Sequence, residues 1–349
     1  MLVQPVVDET MDLSQLMGGD PSALLDSPMF SQIAFHPRPA QKGSSVHAGA
    51  IDGEYAGAGG VQIGYRLYPQ AGCKTLIVHF HGNAELAAEM DHGVGLYRES
   101  ESGGCAVLAV DFRGYGWSTG QPRLTTLCAD ADALVDALPA ILAQAGGDAA
   151  ATRCALVGRS IGGVCAVHLA SRHPTRFPSL LIESSLCRIF ELPMVANIAA
   201  MMGPQGAVLL QALPDPFDQL GKLRAAPTVR CTVLHGDRDE LIPLGQGKAL
   251  FGASAAPPSR KRLVVLKGAG HNDMGMQPTY RELVAAFLAA HAADADADAD
   301  GDEVPIGSWS VKELRTRLDQ MGVDRSGCVE KSDLSELLGR AIADPLAKI

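Results

Sequence analysis

Two serines stand in a Gly-x-Ser-x-Gly setting, Gly116-Trp117-Ser118-Thr119-Gly120 and Gly158-Arg159-Ser160-Ile161-Gly162. A serine hydroxyl serves as a nucleophile when a tight strand-to-helix turn raises it and leaves the next backbone N–H free to donate. Only the second serine has that setting. The stretch RCALVG (153–158) reads as a strand that ends on it, and a helix-like stretch leaves from Ile161. Ser118 follows its strand only after a four-residue loop, and Gln121-Pro122 comes next instead of a long helix. Ser160 is the expected nucleophile, and Ser118 reads as a loop serine.

The hydroxyl needs a base, and the base needs a carboxylate to hold its tautomer. On a strand-to-helix elbow the three follow the chain order Ser, acid, His. The histidines after Ser160 are His168, His173, His235, His271 and His291. His168 and His173 lie on the helix leaving the elbow, His235 ends a strand ahead of the acid, and His291 is at a domain edge. His271, in the glycine-rich turn GAGHND after the strand LVVL, is the expected base. The acid lies in HGDRDELIP (235–243), where Asp237 and Asp239 both qualify and Glu240 is a more distant third. Asp237 could instead cap the turn. The oxyanion formed on attack needs two preorganised donors. These are expected to be the backbone N–H groups of Ile161 and of Asn83, the latter in HFHGNAE. His79 and His81 read as packing and hydrogen-bonding residues of that loop.

Such residues must be held by a rigid scaffold. TLIVHF (75–80), CAVLAVDF (105–112), RCALVG (153–158), LLIESS (180–185), CTVLHG (231–236) and LVVL (263–266) are apolar runs suited to strands buried on both faces. VQIGYRLY (61–68) alternates like an edge or antiparallel strand. Helix-like stretches at 124–146 and 161–173 fall between strands, which points to an α/β fold with a parallel sheet covered on both sides. Residues 46–291 are expected to form this domain, after a partly ordered tail at 1–45. Within it, residues 188–226 are rich in Met, Val, Ile and Leu and could form a small lid.

Hydrophobic residues make up 47% of the 349-residue chain, enough for a sizeable core without staples. Six of the charges behind the net −10 sit in one run, Asp294 to Glu303, and no basic face suggests a nucleic-acid partner. The eight cysteines include no C-x-x-C pair and mostly sit in apolar runs, as reduced core residues do. The sequence MLVQPVVDETMD is not patterned as a secretory signal, and no run of about 18 uninterrupted apolar residues is present. A cytoplasmic location is expected. The run DADADADADGDE reads as an acidic linker over 292–306. Its D-x-D-x-D-G spacing at 296–301 mimics a calcium loop, but the twelfth position is Gly307 instead of Glu. No metal and no organic cofactor are expected. Beyond the linker, residues 307–343 read as a helix–loop–helix. It opens on the capping box Ser310 to Glu313, with Val311, Leu314, Leu318 and Met321 on one face, and a second helix starts near Ser332.

Taken together, HGNAE, DFRGYGWSTG, GRSIGG, DPFDQLGKL, HGDRDELIP and GAGHND resemble the α/β-hydrolase-domain serine hydrolases over about 60–280. They are most similar to the branch with an HGNA oxyanion loop, which includes acyl-protein and lipid-ester hydrolases. The resemblance implies an α/β-hydrolase fold with a mostly parallel sheet, and its H-G-x-x-D-x-x-V/I-P pattern selects Asp239 as the acid. It also implies hydrolysis of a small acyl ester or thioester through an acyl-enzyme. The lipid-anchored members carry N-terminal cysteines, whereas none precedes Cys73 here. A peptidase of the same fold and an idle scaffold for the C-terminal piece are the alternatives. That piece, through VKEL, GVD, SGC and EKSDL, resembles the SAP-like module of the mesencephalic astrocyte-derived neurotrophic factor family. Its interleaved charges favour a protein partner.

Overall fold

Long apolar runs with many β-branched residues become the inner strands of one sheet. The computed structural model describes residues 25–26, 31–32, 34–98, 104–148, 151–201, 203–204, 206, 208, 213–299, 311, 314–315 and 330–343. The strands are β1 (Ile51–Ala56), β2 (Gln62–Tyr68), β3 (Thr75–Phe80), β4 (Cys105–Val110), β5 (Arg153–Arg159), β6 (Ser179–Glu183), β7 (Arg230–Gly236) and β8 (Lys261–Leu266). They form an eight-stranded sheet in the order β1-β2-β4-β3-β5-β6-β7-β8. The β1–β2 and β2–β4 pairs are antiparallel, and every pair from β4 to β8 is parallel. Parallel neighbours need crossovers, and helices supply most of them.

Those helices are α1 (Gly95–Arg98), α2 (Leu127–Ala145), α3 (Gly162–Arg172), α4 (Pro193–Met201), α5 (Gln219–Arg224), α6 (Leu244–Ala253) and α7 (Tyr280–Ala299). On one face of the sheet Leu76, Val78 and Leu156 pack under α2 and α3 through Leu134, Leu138, Val164 and Val167. On the other, Ile77, Val107 and Val157 meet Val284, Phe287 and Leu288 of α7. This is the α/β-hydrolase fold, and Ser160, Asp239 and His271 lie just past the carboxyl ends of β5, β7 and β8, where loops are free to vary.

LVVL, read as a strand buried on both faces, is instead the edge strand β8, where Val265 is exposed, and three other features depart from the sequence reading. Strand β1 was not foreseen. IDGEYA carries Asp52, Gly53 and Glu54 and pairs only with β2 at the sheet edge, so it needs no apolar run. Residues 34–45, assigned to the tail, are packed onto the hydrolase body. Phe35 is buried in the main core, and Ala40 and Arg38 exchange backbone hydrogen bonds with Gly116. That segment is irregular, so it leaves no periodic signature. Finally, the first residues of the expected linker at 292–306 are helical, because α7 keeps its helical backbone to Ala299. Alanine alternates with aspartate there, and alanine has the highest helix propensity.

The chain divides into two units, Met1–Ala292 and Ala293–Ile349. In the second, α8 (Lys331–Ala343) begins close to the expected Ser332, and Leu334, Leu337 and Leu314 are buried. Val311, expected on the inner face, is exposed. Leu318 and Met321 lie outside the described residues. No described helix is long and apolar enough to cross a membrane. The seven described cysteines form no disulfide with one another.

Candidate active site

Strand β5 ends at Arg159 and α3 begins at Gly162, leaving Ser160 and Ile161 to make the turn. Ser160 takes φ +53°, a left-handed conformation that a side chain adopts at a cost of order 1–3 kcal/mol. Surrounding contacts hold it there. Its N–H donates to the Glu183 carbonyl at 2.8 Å, and its own carbonyl accepts from Ser185 Oγ at 2.7 Å. A Cβ at position 162 would collide with the carbonyls of Phe80 and His81, so only glycine lets α3 start this close to β3.

His271 lies in the loop after β8, with its ring over the elbow. Its Nδ1 is 2.9 Å from Asp239 Oδ2 and its Nε2 is 3.1 Å from Ser160 Oγ. A carboxylate only accepts, so Nδ1 carries the proton and Nε2 is left to accept from the serine hydroxyl. All three residues are buried. The other Asp239 oxygen accepts from the N–H groups of Leu241 and Ile242 at 3.0 and 2.8 Å. Burial opposes ionisation of Asp239, but the bonds from His271 and Ile242 outweigh it and hold the carboxyl below its ordinary range. His235 lies 3.5 Å from the same carboxylate. Burial lowers its pKa, and its Nε2 donates to the Ile242 carbonyl at 2.8 Å.

Of the other candidates, Glu240 lines the cavity, whereas Asp237 and Ser118 are engaged elsewhere. Asp237 Oδ1 accepts from the Gly268 N–H at 2.6 Å and ties two loops together. Ser118 Oγ accepts from the Gly64 N–H at 2.8 Å.

Asn83 and Ile161 both line the cavity above Ser160. Neither amide has a hydrogen-bond acceptor among the described residues. The Asn83 side chain is fully engaged. Its Oδ1 accepts from His36 N at 2.9 Å and Tyr115 Oη at 2.6 Å, and its Nδ2 donates to the Ala34 carbonyl at 3.0 Å. His81 braces the same loop, with Nε2 3.2 Å from Asp111 Oδ1. His79 is buried beside Tyr97.

The cavity holds about 490 Å³. Leu186, Ile189, Phe190, Leu192, Met194 and Val195 form its apolar wall, and Ala34 and His36 contribute from the N-terminal segment. Gln246 Oε1 accepts from the N–H groups of Cys187 and Arg188, and Gln219 Nε2 donates to the Leu186 carbonyl, which pins the start of that wall. The roles of Ala34, His36, Ser185 and Gln246 were not read from the sequence. Each rests on a contact between residues far apart in the chain, and none sits in a recognisable motif. Among the described residues no cluster of three or more His, Cys, Asp or Glu side chains could hold a metal ion.

Comparison with known proteins bears on the family and the fold. The family model described as serine aminopeptidase S33 matches residues 72–215. The uncharacterized protein Rv2307c of Mycobacterium tuberculosis is 30% identical over 246 residues, covering 67% of this chain and 77% of that protein. The alpha/beta hydrolase domain-containing protein aho-3 of Caenorhabditis elegans is 29% identical, over 61% of this chain and 57% of its own length. Protein bem46 of Schizosaccharomyces pombe is 24% identical, over 62% and 68%. Among solved structures, the esterase Pf2001 of Pyrococcus furiosus superposes with a TM-score of 0.56 at 16% identity, covering 73% of this chain and 97% of that one. The fold, the length of the match to relatives and the strand-to-helix elbow place this chain in the α/β-hydrolase family.

Proposed function

We propose that the protein is a serine hydrolase that cleaves a carboxylic ester or thioester through an acyl-enzyme. The observation that carries this reading is the unbroken relay from Asp239 Oδ2 through both nitrogens of His271 to Ser160 Oγ, opening into an apolar cavity. Ser160 Oγ attacks the carbonyl carbon while His271 Nε2 takes the hydroxyl proton. Asp239 stabilises the imidazolium and fixes the ring. The N–H groups of Asn83 and Ile161 receive the oxyanion. The tetrahedral species collapses, and His271 returns the proton to the leaving alcohol or thiol. Water then enters and attacks the acyl carbonyl as His271 takes its proton. The second tetrahedral species collapses, the bond to Ser160 Oγ breaks, and His271 returns the proton to Oγ as the acid leaves. The wall from Leu186 to Val195 suits an apolar acyl group, with residues 188–226 acting as its lid.

The test is labelling by a fluorophosphonate, which phosphonylates an activated serine. Wild-type protein should label, and Ser160→Ala should not. Ser118→Ala should label like the wild type, and the reverse pattern would refute the assignment. The description of the matched family model favours a second reading as a peptidase. Turnover of an amino-acid amide that is lost in Ser160→Ala, with little turnover of esters lacking an amino-acyl group, would select it. The segment 307–343 is proposed as a SAP-like docking module for a protein partner, with the acidic residues before it as its tether.

A further inference from the structure

We infer that Arg159 is a positioning residue that fixes the oxyanion loop and the histidine loop at one spacing about the nucleophile. The inference rests on the serine-hydrolase reading above.

Arg159 is the last residue of β5 and is bonded directly to Ser160. Its guanidinium faces two ways. Nη1 pairs with Glu85 Oε1, and the other Glu85 oxygen accepts from the Gly82 N–H at 2.7 Å. That bond sets the turn immediately before Asn83. The loop lies so close that a Cβ on Gly82 would stand 2.5 Å from Arg159 Nη1. Nη2 donates to the carbonyl of His271 at 2.9 Å and to Asn272 Oδ1 at 3.2 Å. One planar group therefore joins the strand that ends on the nucleophile, the loop of a proposed oxyanion donor and the backbone of the proposed base.

The geometry also says what Arg159 does not do. Although it lines the cavity, both terminal nitrogens are committed to protein acceptors. A substrate anion would compete with the Glu85 carboxylate already paired with Nη1. The side chain is only 18% exposed, so solvent screens the pair less than a surface ion pair. The rigid fork matters as much as the charge. A lysine ammonium is a point donor on a flexible stem and cannot span both acceptors in a fixed plane. A placement error of about 1 Å in a serine-hydrolase site can cost on the order of 10²-fold in rate.

The experiment compares Arg159→Met, Arg159→Lys, Glu85→Gln and the double variant Arg159→Met/Glu85→Gln with wild-type full-length protein. The readouts are kcat and KM on p-nitrophenyl acetate and the second-order rate of fluorophosphonate labelling, with thermal melts as a check on folding. Arg159→Met should lower kcat and the labelling rate together by about 30- to 100-fold, with KM within about threefold, as expected when only placement is lost. Glu85→Gln should lose about tenfold, because the two donors use different carboxylate oxygens and the amide replaces one of them with an NH2 that cannot accept. The double variant should be no slower than Arg159→Met, since both changes cut one bridge. Lysine should restore only part of the loss.

Labelling of Arg159→Met within twofold of wild type would overturn the inference. So would a raised KM at unchanged kcat, which would make Arg159 a substrate-binding group. If Arg159→Met does not fold, wild-type labelling rates in both Arg159→Lys and Glu85→Gln overturn it instead. Wild-type protein that does not label at all sinks the hydrolase reading and this inference together, whereas labelled wild type beside an equally labelled Arg159→Met sinks the inference alone.

Discussion

The carboxylates of Asp237 and Asp239 lie two residues apart and face different partners. Asp239 meets His271 Nδ1, and Asp237 meets the Gly268 amide. Asp239→Asn should therefore lower kcat on the order of 10⁴-fold, because a neutral amide can donate to Nδ1 and favour the wrong imidazole tautomer. Asp237→Asn should leave kcat within about twofold, since an amide oxygen still accepts from an N–H. Steady-state kinetics on one soluble ester compares them directly, and equal losses would contradict the division of roles. The spacing of the two acids left this choice open, because both sit just past a strand end. Only the family pattern selected between them. Arg159 shows the opposite case. It was in plain view beside Ser160, but its partners Glu85 and His271 are 74 and 112 residues away, and no local pattern encodes such a meeting.

At the scale of elements, the inner strands were legible because burial on both faces demands an unbroken apolar run. Helix α3 was legible because it follows the elbow glycines. The edge strand β1 and the irregular segment 34–45 were not, since neither needs periodicity to be stable. The segment's anchor can be tested. Phe35→Ala removes a buried ring from the main core and should cost about 3 kcal/mol or more of stability, read by urea unfolding. A change under about 0.5 kcal/mol would mean that the segment is only loosely attached. The cavity wall makes a separate prediction. Phe190 lines the cavity near its pinned end. Phe190→Ala should lower kcat/KM for an octanoyl ester relative to an acetyl ester by about tenfold, because a pocket discriminates by about 1–3 kcal/mol per small apolar group. An unchanged ratio would place the acyl chain elsewhere.

Across the whole molecule, buried histidines tie stability to pH. Burial holds His79 down to about 3, and burial also lowers His168 and His235. In the unfolded chain each would titrate near about 6.5. Below that pH the unfolded state takes up protons that the folded state refuses, so the stabilisation present above about 6.5 is lost progressively toward about 3. Chemical unfolding between pH 7 and 4 should show a falling stability, and His79→Gln should flatten the slope even if it lowers the plateau. An identical slope would remove His79 from the account. The C-terminal unit is expected to matter little for turnover. A chain ending after Ala299 keeps all of α7, including His291, whose Nδ1 is 2.9 Å from Ser179 Oγ. It should retain its kcat on p-nitrophenyl acetate, and a loss of most activity would make residues 300–349 part of the site or its support.

The relay from Ser160 to His271 spans 111 residues of chain. That separation puts a delay into biosynthesis. At about 5–20 residues per second, the ribosome makes the elbow roughly 6–20 s before it makes the base. Through that interval the nascent protein carries the proposed nucleophile without the proposed base. On the proposed assignment, competence waits until the loop after β8 has been made. Ribosome-bound chains stalled before position 271 should therefore be inert toward a fluorophosphonate, and chains released after α7 should react, which makes labelling a reporter of completed folding.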